Sequence, residues 1–112
     1  DVELGANCVV NRGTLGDTII GDYTKIDSAI HVPHNVVIGK NCMITSGARM
    51  CGSVKIGNGC YLAPFSCIKN QVQIGNNCMV NMNTVVVEDL SDGLIAQGKR
   101  KIKFDYRSIL NM

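Results

Sequence analysis

The chain has 112 residues, 46% apolar, 18% charged and 4% aromatic, with twelve glycines, two prolines and no tryptophan. That is one domain's length, too apolar for a disordered chain, and no apolar run approaches a membrane span. The net charge of +2 is uneven: residues 97–112 hold Lys99, Arg100, Lys101, Lys103 and Arg107 against Asp105, while the rest is slightly acidic, which predicts a basic tail and no nucleic-acid surface.

The chain begins at Asp1 inside a running repeat and is read as a fragment or a processed chain. A first coil opens at Leu4-Gly5, sixteen residues before Ile20-Gly21, and is expected to run two residues short, with Arg12–Asp17 absorbing the difference. Ile-Gly then recurs at residues 20, 38, 56 and 74, a spacing of eighteen. Inside each eighteen lie three sixes: Ile20, Ile26, Val32, Ile38, Ile44, Met50, Ile56, Leu62, Ile68, Ile74 and Val80 are all aliphatic or Met. At this apolar content chance gives such a run about twice in ten thousand frames, so the repeat is the dominant signal. Four residues after each rung stands a mostly small or β-branched residue, from Thr24 through Cys42, Cys60 and Cys78 to Thr84. Beyond Thr84 the period fades. The expected organisation is a repeat domain over 1–90 and a loop with a basic tail over 91–112, with Lys99–Met112 a short helix or a frayed tail.

Six is neither the helical period nor a simple alternation. It fits a short strand and a bend, repeated three times round a triangular coil, with coils stacked about 4.8 Å apart. No coil can bury its own apolar edge, so neighbours must stack into a continuous core. Gly5, Gly21, Gly39, Gly57 and Gly75 read as one column at bends where a Cβ would be strained or crowded, and Asn41, Gly59 and Asn77 as positions of positive φ. Cys8, Cys42, Cys60 and Cys78 read as one inward column of small side chains, with Thr24 between the first two. Cys51 and Cys67 fall outside it. Six cysteines without a C-x-x-C pair argue against a disulfide framework or a structural zinc site, so no metal is expected and a reducing, cytoplasmic compartment is the default.

The six-residue pattern matches the hexapeptide signature of left-handed parallel β-helices, a family of mainly acyltransferases. The expected fold is therefore all-β, a left-handed parallel β-helix of about five triangular coils. Within that class, Ile26-Asp27 followed by His34-Asn35-Val36-Val37-Ile38-Gly39 resembles the active-site coil of the UDP-3-O-acylglucosamine N-acyltransferases of lipid A synthesis. Val2–Asn7, the short Arg12-Gly13 coil and Met50–Gly57 share the resemblance, which covers about residues 2–90. It implies that His34 is the general base that deprotonates a sugar amine, a task suited to imidazole near neutral pH. It implies that the Gly52 N–H, eighteen residues on, stabilises the tetrahedral oxyanion. Asp27, His31 and Asn35 fall at positions near the acceptor sugar, and Gln71 at the thioester donor, where the family commonly carries a second His. His31 stands where Gln is usual. No bound cofactor is implied; the co-substrate is an acyl-carrier-protein thioester or acetyl-CoA, the acceptor a nucleotide-linked amino sugar, and the assembly a homotrimer. The family's acyl groove is lined by small residues, but here those places read Ala63-Pro64-Phe65 and Asn81-Met82-Asn83-Thr84, which points to a short donor or a rerouted chain. His31 and His34 do not make a metal pair, because they lie at different positions round a bend. The metal-dependent γ-type carbonic anhydrases of this class need three histidines.

Two alternatives stand beside this reading: a sugar O-acetyltransferase, since His34 serves a hydroxyl as well, and a non-catalytic β-helix scaffold. A fragment that lacks its acceptor-binding domain, and is inactive alone, is a third.

Overall fold

The computed structural model describes residues 1–98, so the tail or helix expected at 99–112 lies outside the described residues. The strands follow one another every six residues or so and are two residues long. They are β1 (Glu3–Leu4), β2 (Val9–Val10), β3 (Ile19–Ile20), β4 (Lys25–Ile26) and β5 (His31–Val32). Then come β6 (Val37–Ile38), β7 (Met43–Ile44), β8 (Arg49–Met50), β9 (Lys55–Ile56) and β10 (Tyr61–Leu62). The series closes with β11 (Cys67–Ile68), β12 (Gln73–Ile74), β13 (Met79–Val80), β14 (Val85–Val86) and β15 (Ile95–Ala96). Along most of the series the first residue of each pair points outward and the second inward, as alternation on a strand requires.

Every third strand stacks in parallel with its predecessor, which makes three faces. The first is β1-β4-β7-β10-β13-β15, the third β3-β6-β9-β12, and the second is split into β2-β5 and β8-β11-β14. Pro33 explains the split. Cys51 N–H donates to the Ile68 carbonyl at 3.1 Å; Pro33, one coil earlier, has no N–H to give. Two inward columns per face fill the prism. The rung residues from Ile26 to Val80 are buried, and so are the fourth residues beyond them, from Thr24 to Thr84. Large rings have no room inside, and the core is Ile, Val, Leu, Met, Ala and Cys.

The two ends of the stack depart from the sequence reading. Leu4 lies opposite Ile26, not on the face of Ile20. The first coil therefore spans twenty-two residues from Leu4 to Ile26, four more than the repeat rather than two fewer, and the surplus projects at residues 11–18. Gly5 consequently packs on the backbone of Asp27 and Ser28 and leaves the glycine column. Cys8 stacks on Ile30, as the pairing of Val9 with His31 dictates, and not on Thr24 and Cys42. The two-residue shortening occurs at the other end, where Ile74 bridges Leu90 and Val80 pairs with Ala96. There the corner after β14 is abbreviated, so the hexad phase is lost from the sequence while the coil continues past residue 90, the expected boundary.

The true glycine column is explained by crowding. A Cβ at Gly57 would lie 2.7 Å from both the carbonyl carbon and oxygen of Gly75, closer than the next coil allows. Positive φ belongs to another set: Asn41, Gly59 and Asn77 adopt it, as expected, and so do Asn35, Ser53 and Gln71 at the corner that follows the second face.

Candidate functional site

Within each coil the chain turns three corners. Residues 27–29 make the first, 33–35 the second and 39–41 the third, and each stacks on residues eighteen positions later. The second corner carries His34, with Gly52 one coil on; Gln71 follows Ser53 in the adjacent column. His34 is exposed, and its imidazole lies against Gly52: a Cβ there would fall 2.5 Å from Cε1 and nearer still to Nε2. Glycine is thus a condition for the ring's position. Ser53 N–H ties the Gly52 coil to the one before by donating to the His34 carbonyl at 3.0 Å, and Gln71 N–H ties it to the one after by donating to the Gly52 carbonyl at 3.1 Å.

At several corners a side chain caps the N–H of the middle residue: Asp27 Oδ1 accepts from Ser28 N–H at 2.7 Å, and Asn58 Oδ1 accepts from Lys40 N–H at 2.8 Å. Among the described residues nothing accepts from Gly52 N–H. A free backbone donor and an exposed imidazole therefore share one corner.

Asn35 orders this corner. Its Oδ1 accepts from Thr14 N–H at 3.0 Å, its Nδ2 donates to the Leu15 carbonyl, and its own N–H donates to Thr18 Oγ1 at 2.9 Å. Because Oδ1 is thereby fixed as the acceptor, it offers a partner to a proton on His34 Nδ1, 3.4 Å away, and so favours the tautomer in which Nε2 is the acceptor. Lys55 Nζ donates to the Asn35 carbonyl at 2.7 Å and brings a cation to the same corner. Sequence reasoning missed Lys55, Thr14 and Thr18; the irregular spacing over residues 11–18 was the available signal.

The expected site residues thus divide. His34, Asn35, Gly52 and Gln71 meet at one corner. Asp27 stands at a different corner of the prism, with its carboxylate engaged by Ser28. His31 lies on the strand leading into the His34 corner, with Nε2 bonded to Asn11 Oδ1, and faces a shallow groove with Arg49, Phe65 and Cys67. The Phe65 ring covers Gly47 at the rim of that groove, and Met82 is exposed one coil beyond. Cys51 is exposed beside Gly52, and all six cysteines are free.

A stack of three-faced coils with corners eighteen residues apart defines a hexapeptide-repeat β-helix. The family description "Bacterial transferase hexapeptide (six repeats)" matches residues 17–52 and 53–88, and the chain belongs to that family. It is 62% identical over 42 residues to the UDP-3-O-acylglucosamine N-acyltransferase of Caulobacter vibrioides, a stretch that covers 38% of this chain and 12% of that protein. The chain thus spans a small part of the curated relatives it matches. It resembles the crystal structure of a UDP-N-acetylglucosamine acyltransferase with a TM-score of 0.72 and 29% identity, over 74% of this chain and 33% of that one. For the UDP-N-acetylglucosamine acyltransferase from Campylobacter jejuni the TM-score is 0.75 and the identity 26%, over 88% and 43%. No helix among the described residues is long and apolar enough to cross a membrane.

Proposed function

We propose that this chain carries the catalytic corner of an N-acyltransferase that moves an acyl group from a thioester to the amine of a nucleotide-linked amino sugar. The observation that carries the reading is the His34 ring against Gly52, with the Gly52 N–H free beside it. The amine nitrogen attacks the thioester carbonyl carbon while Nε2 takes the amine proton. The carbonyl oxygen becomes an oxyanion and receives the Gly52 N–H bond. On collapse the C–S bond breaks, the amide forms, and the imidazolium returns its proton to the departing thiolate. Asn35 holds the imidazole in the required tautomer throughout.

The similarity to acyltransferases acting on UDP-linked glucosamine derivatives supports the acceptor class, and lipid A or surface-glycan synthesis in the cytoplasm is the setting proposed. Phe65 and Met82, standing outward where a long acyl chain would need small residues, favour a short donor such as acetyl-CoA over a long-chain acyl-carrier protein. Asp27, His31 and Gln71 complete the substrate contacts in a homotrimer, where the Asp27 corner of one subunit meets the His34 corner of the next.

His34→Ala tests the core of this proposal. Acyl transfer should fall by about 10²–10⁴-fold, with the melting temperature held close to that of the parent because the side chain is exposed. Unchanged turnover would overturn His34 as the base, and no turnover by the parent chain would favour the scaffold or inactive-fragment reading. Parallel assays with acetyl-CoA and long-chain acyl-carrier protein decide the donor, and efficient long-chain transfer would sink the short-donor reading.

A further inference from the structure

The His34 corner holds a charged group that the mechanism above leaves unused. Val10 lies opposite Val32, and Asn11 N–H donates to the Val32 carbonyl at 2.9 Å. That register places Arg12 one coil before His34 on the same corner, as Gly52 stands one coil after it. Arg12 opens the surplus loop of the first coil, and the loop is clamped at both ends. Asn11 is bonded to His31; Thr14, Leu15 and Thr18 are bonded to Asn35. Gly13 sits so close to Asn35 that a Cβ would lie 2.8 Å from Nδ2. The backbone is therefore fixed while its outer side chains touch little: Arg12 is exposed, and Leu15 is 88% exposed. Among the described residues no carboxylate lies within ion-pair distance of Arg12. A held backbone that presents an uncompensated guanidinium beside a reactive corner is the arrangement an anionic group needs, because the planar fork matches two phosphate oxygens.

We propose that Arg12 is an anion-binding residue of this site and takes a phosphate of the acceptor. The proposal rests on the assignment of His34 as base and Gly52 as oxyanion donor. With the thioester oxygen at Gly52, the donor occupies the C-terminal side of His34. Arg12 lies one coil to the other side of His34, which leaves that side to the acceptor. Phosphate is also present on coenzyme A, so the two sources are separated by asking which ligand's affinity depends on Arg12.

The experiment titrates UDP-glucosamine, free glucosamine and coenzyme A into the parent chain and Arg12→Gln by calorimetry, with KM measured for acceptor and donor. Arg12→Gln should weaken UDP-glucosamine binding by about tenfold or more, leave glucosamine and coenzyme A unchanged, and keep kcat at saturating acceptor. Arg12→Lys should recover part of the affinity. Equal affinity of both chains for UDP-glucosamine, no binding of it by the parent, or a loss confined to coenzyme A would each overturn the proposal. Arg12-dependent binding of UDP-glucosamine by a parent chain that transfers no acyl group would overturn the acyltransferase reading and leave the anion site standing.

Discussion

Thr24, Cys42, Cys60 and Cys78 show how unlike residues fill one post. Each stands in the same inward column, and each donates to a carbonyl one coil on: Thr24 Oγ1 to Gly39 at 2.7 Å, Cys42 Sγ to Gly57 and Cys60 Sγ to Gly75 at 3.0 Å, Cys78 Sγ to Ser91 at 3.1 Å. Thr24→Cys should therefore be close to neutral, while Thr24→Val, which orphans the Gly39 carbonyl and the Cys42 N–H bonded at 3.1 Å, should cost about 1–2 kcal/mol in thermal unfolding. Ser66 is the opposite case. It is fully buried, and its Oγ has no partner among the described residues, so Ser66→Ala should hold or raise the melting temperature. The Cys42 thiol beside Cys60, together with burial, pushes the Cys60 thiol above the ordinary range. The same hydrogen bond drives the Cys42 thiol the other way, down to about 6, so the two thiols make opposed contributions to the pH dependence of stability.

At the scale of elements, a two-residue strand has little stability of its own, and what stabilises it is the coil above and below. The corners decide whether coils can approach. Gly57→Ala drives a Cβ into the Gly75 peptide and should destabilise by about 1–3 kcal/mol, measured by denaturant unfolding, whereas Gly93→Ala meets no atom and loses only the glycine's ease at φ 75°. The regular strands were legible in the sequence because every rung is apolar at a constant step of six. The ends were not. Leu4-Gly5 imitates the Ile-Gly of the third face, and a two-letter match cannot say to which face a rung belongs; the surplus at residues 11–18 shifts the phase by four. The close of the stack was hidden in the same way, because a corner shortened by two residues erases the period while leaving the pairing of β15 with β13 intact.

The whole molecule is a one-dimensional stack, so its integrity depends on whole coils. Removing residues 57–74, one full turn, should leave a folded, less stable β-helix that retains the His34–Gly52 corner. Removing one residue fewer puts each later rung out of phase with its column and should abolish cooperative unfolding; circular dichroism with thermal melts compares the two. The site obeys the same geometry. His34, Gly52 and Arg12 are far apart in sequence, and the prism turns their separations of eighteen and twenty-two into adjacent coils of one corner. From the sequence came the six-residue period, the inward columns, the positive-φ corners and the placing of His34 and Gly52 one coil apart, because these depend on local residue type at a fixed step. Only the tertiary structure decided which coil carries the surplus, that Cys8 and Gly5 leave their supposed columns, and that Asn35 spends its amide on the Thr14 loop. It also placed Asp27 at a different corner from His34. The physical reason is that phase accumulates along a solenoid: each irregular corner reassigns every neighbour beyond it, and the reassignment becomes visible only when backbone donors one coil apart find their carbonyls.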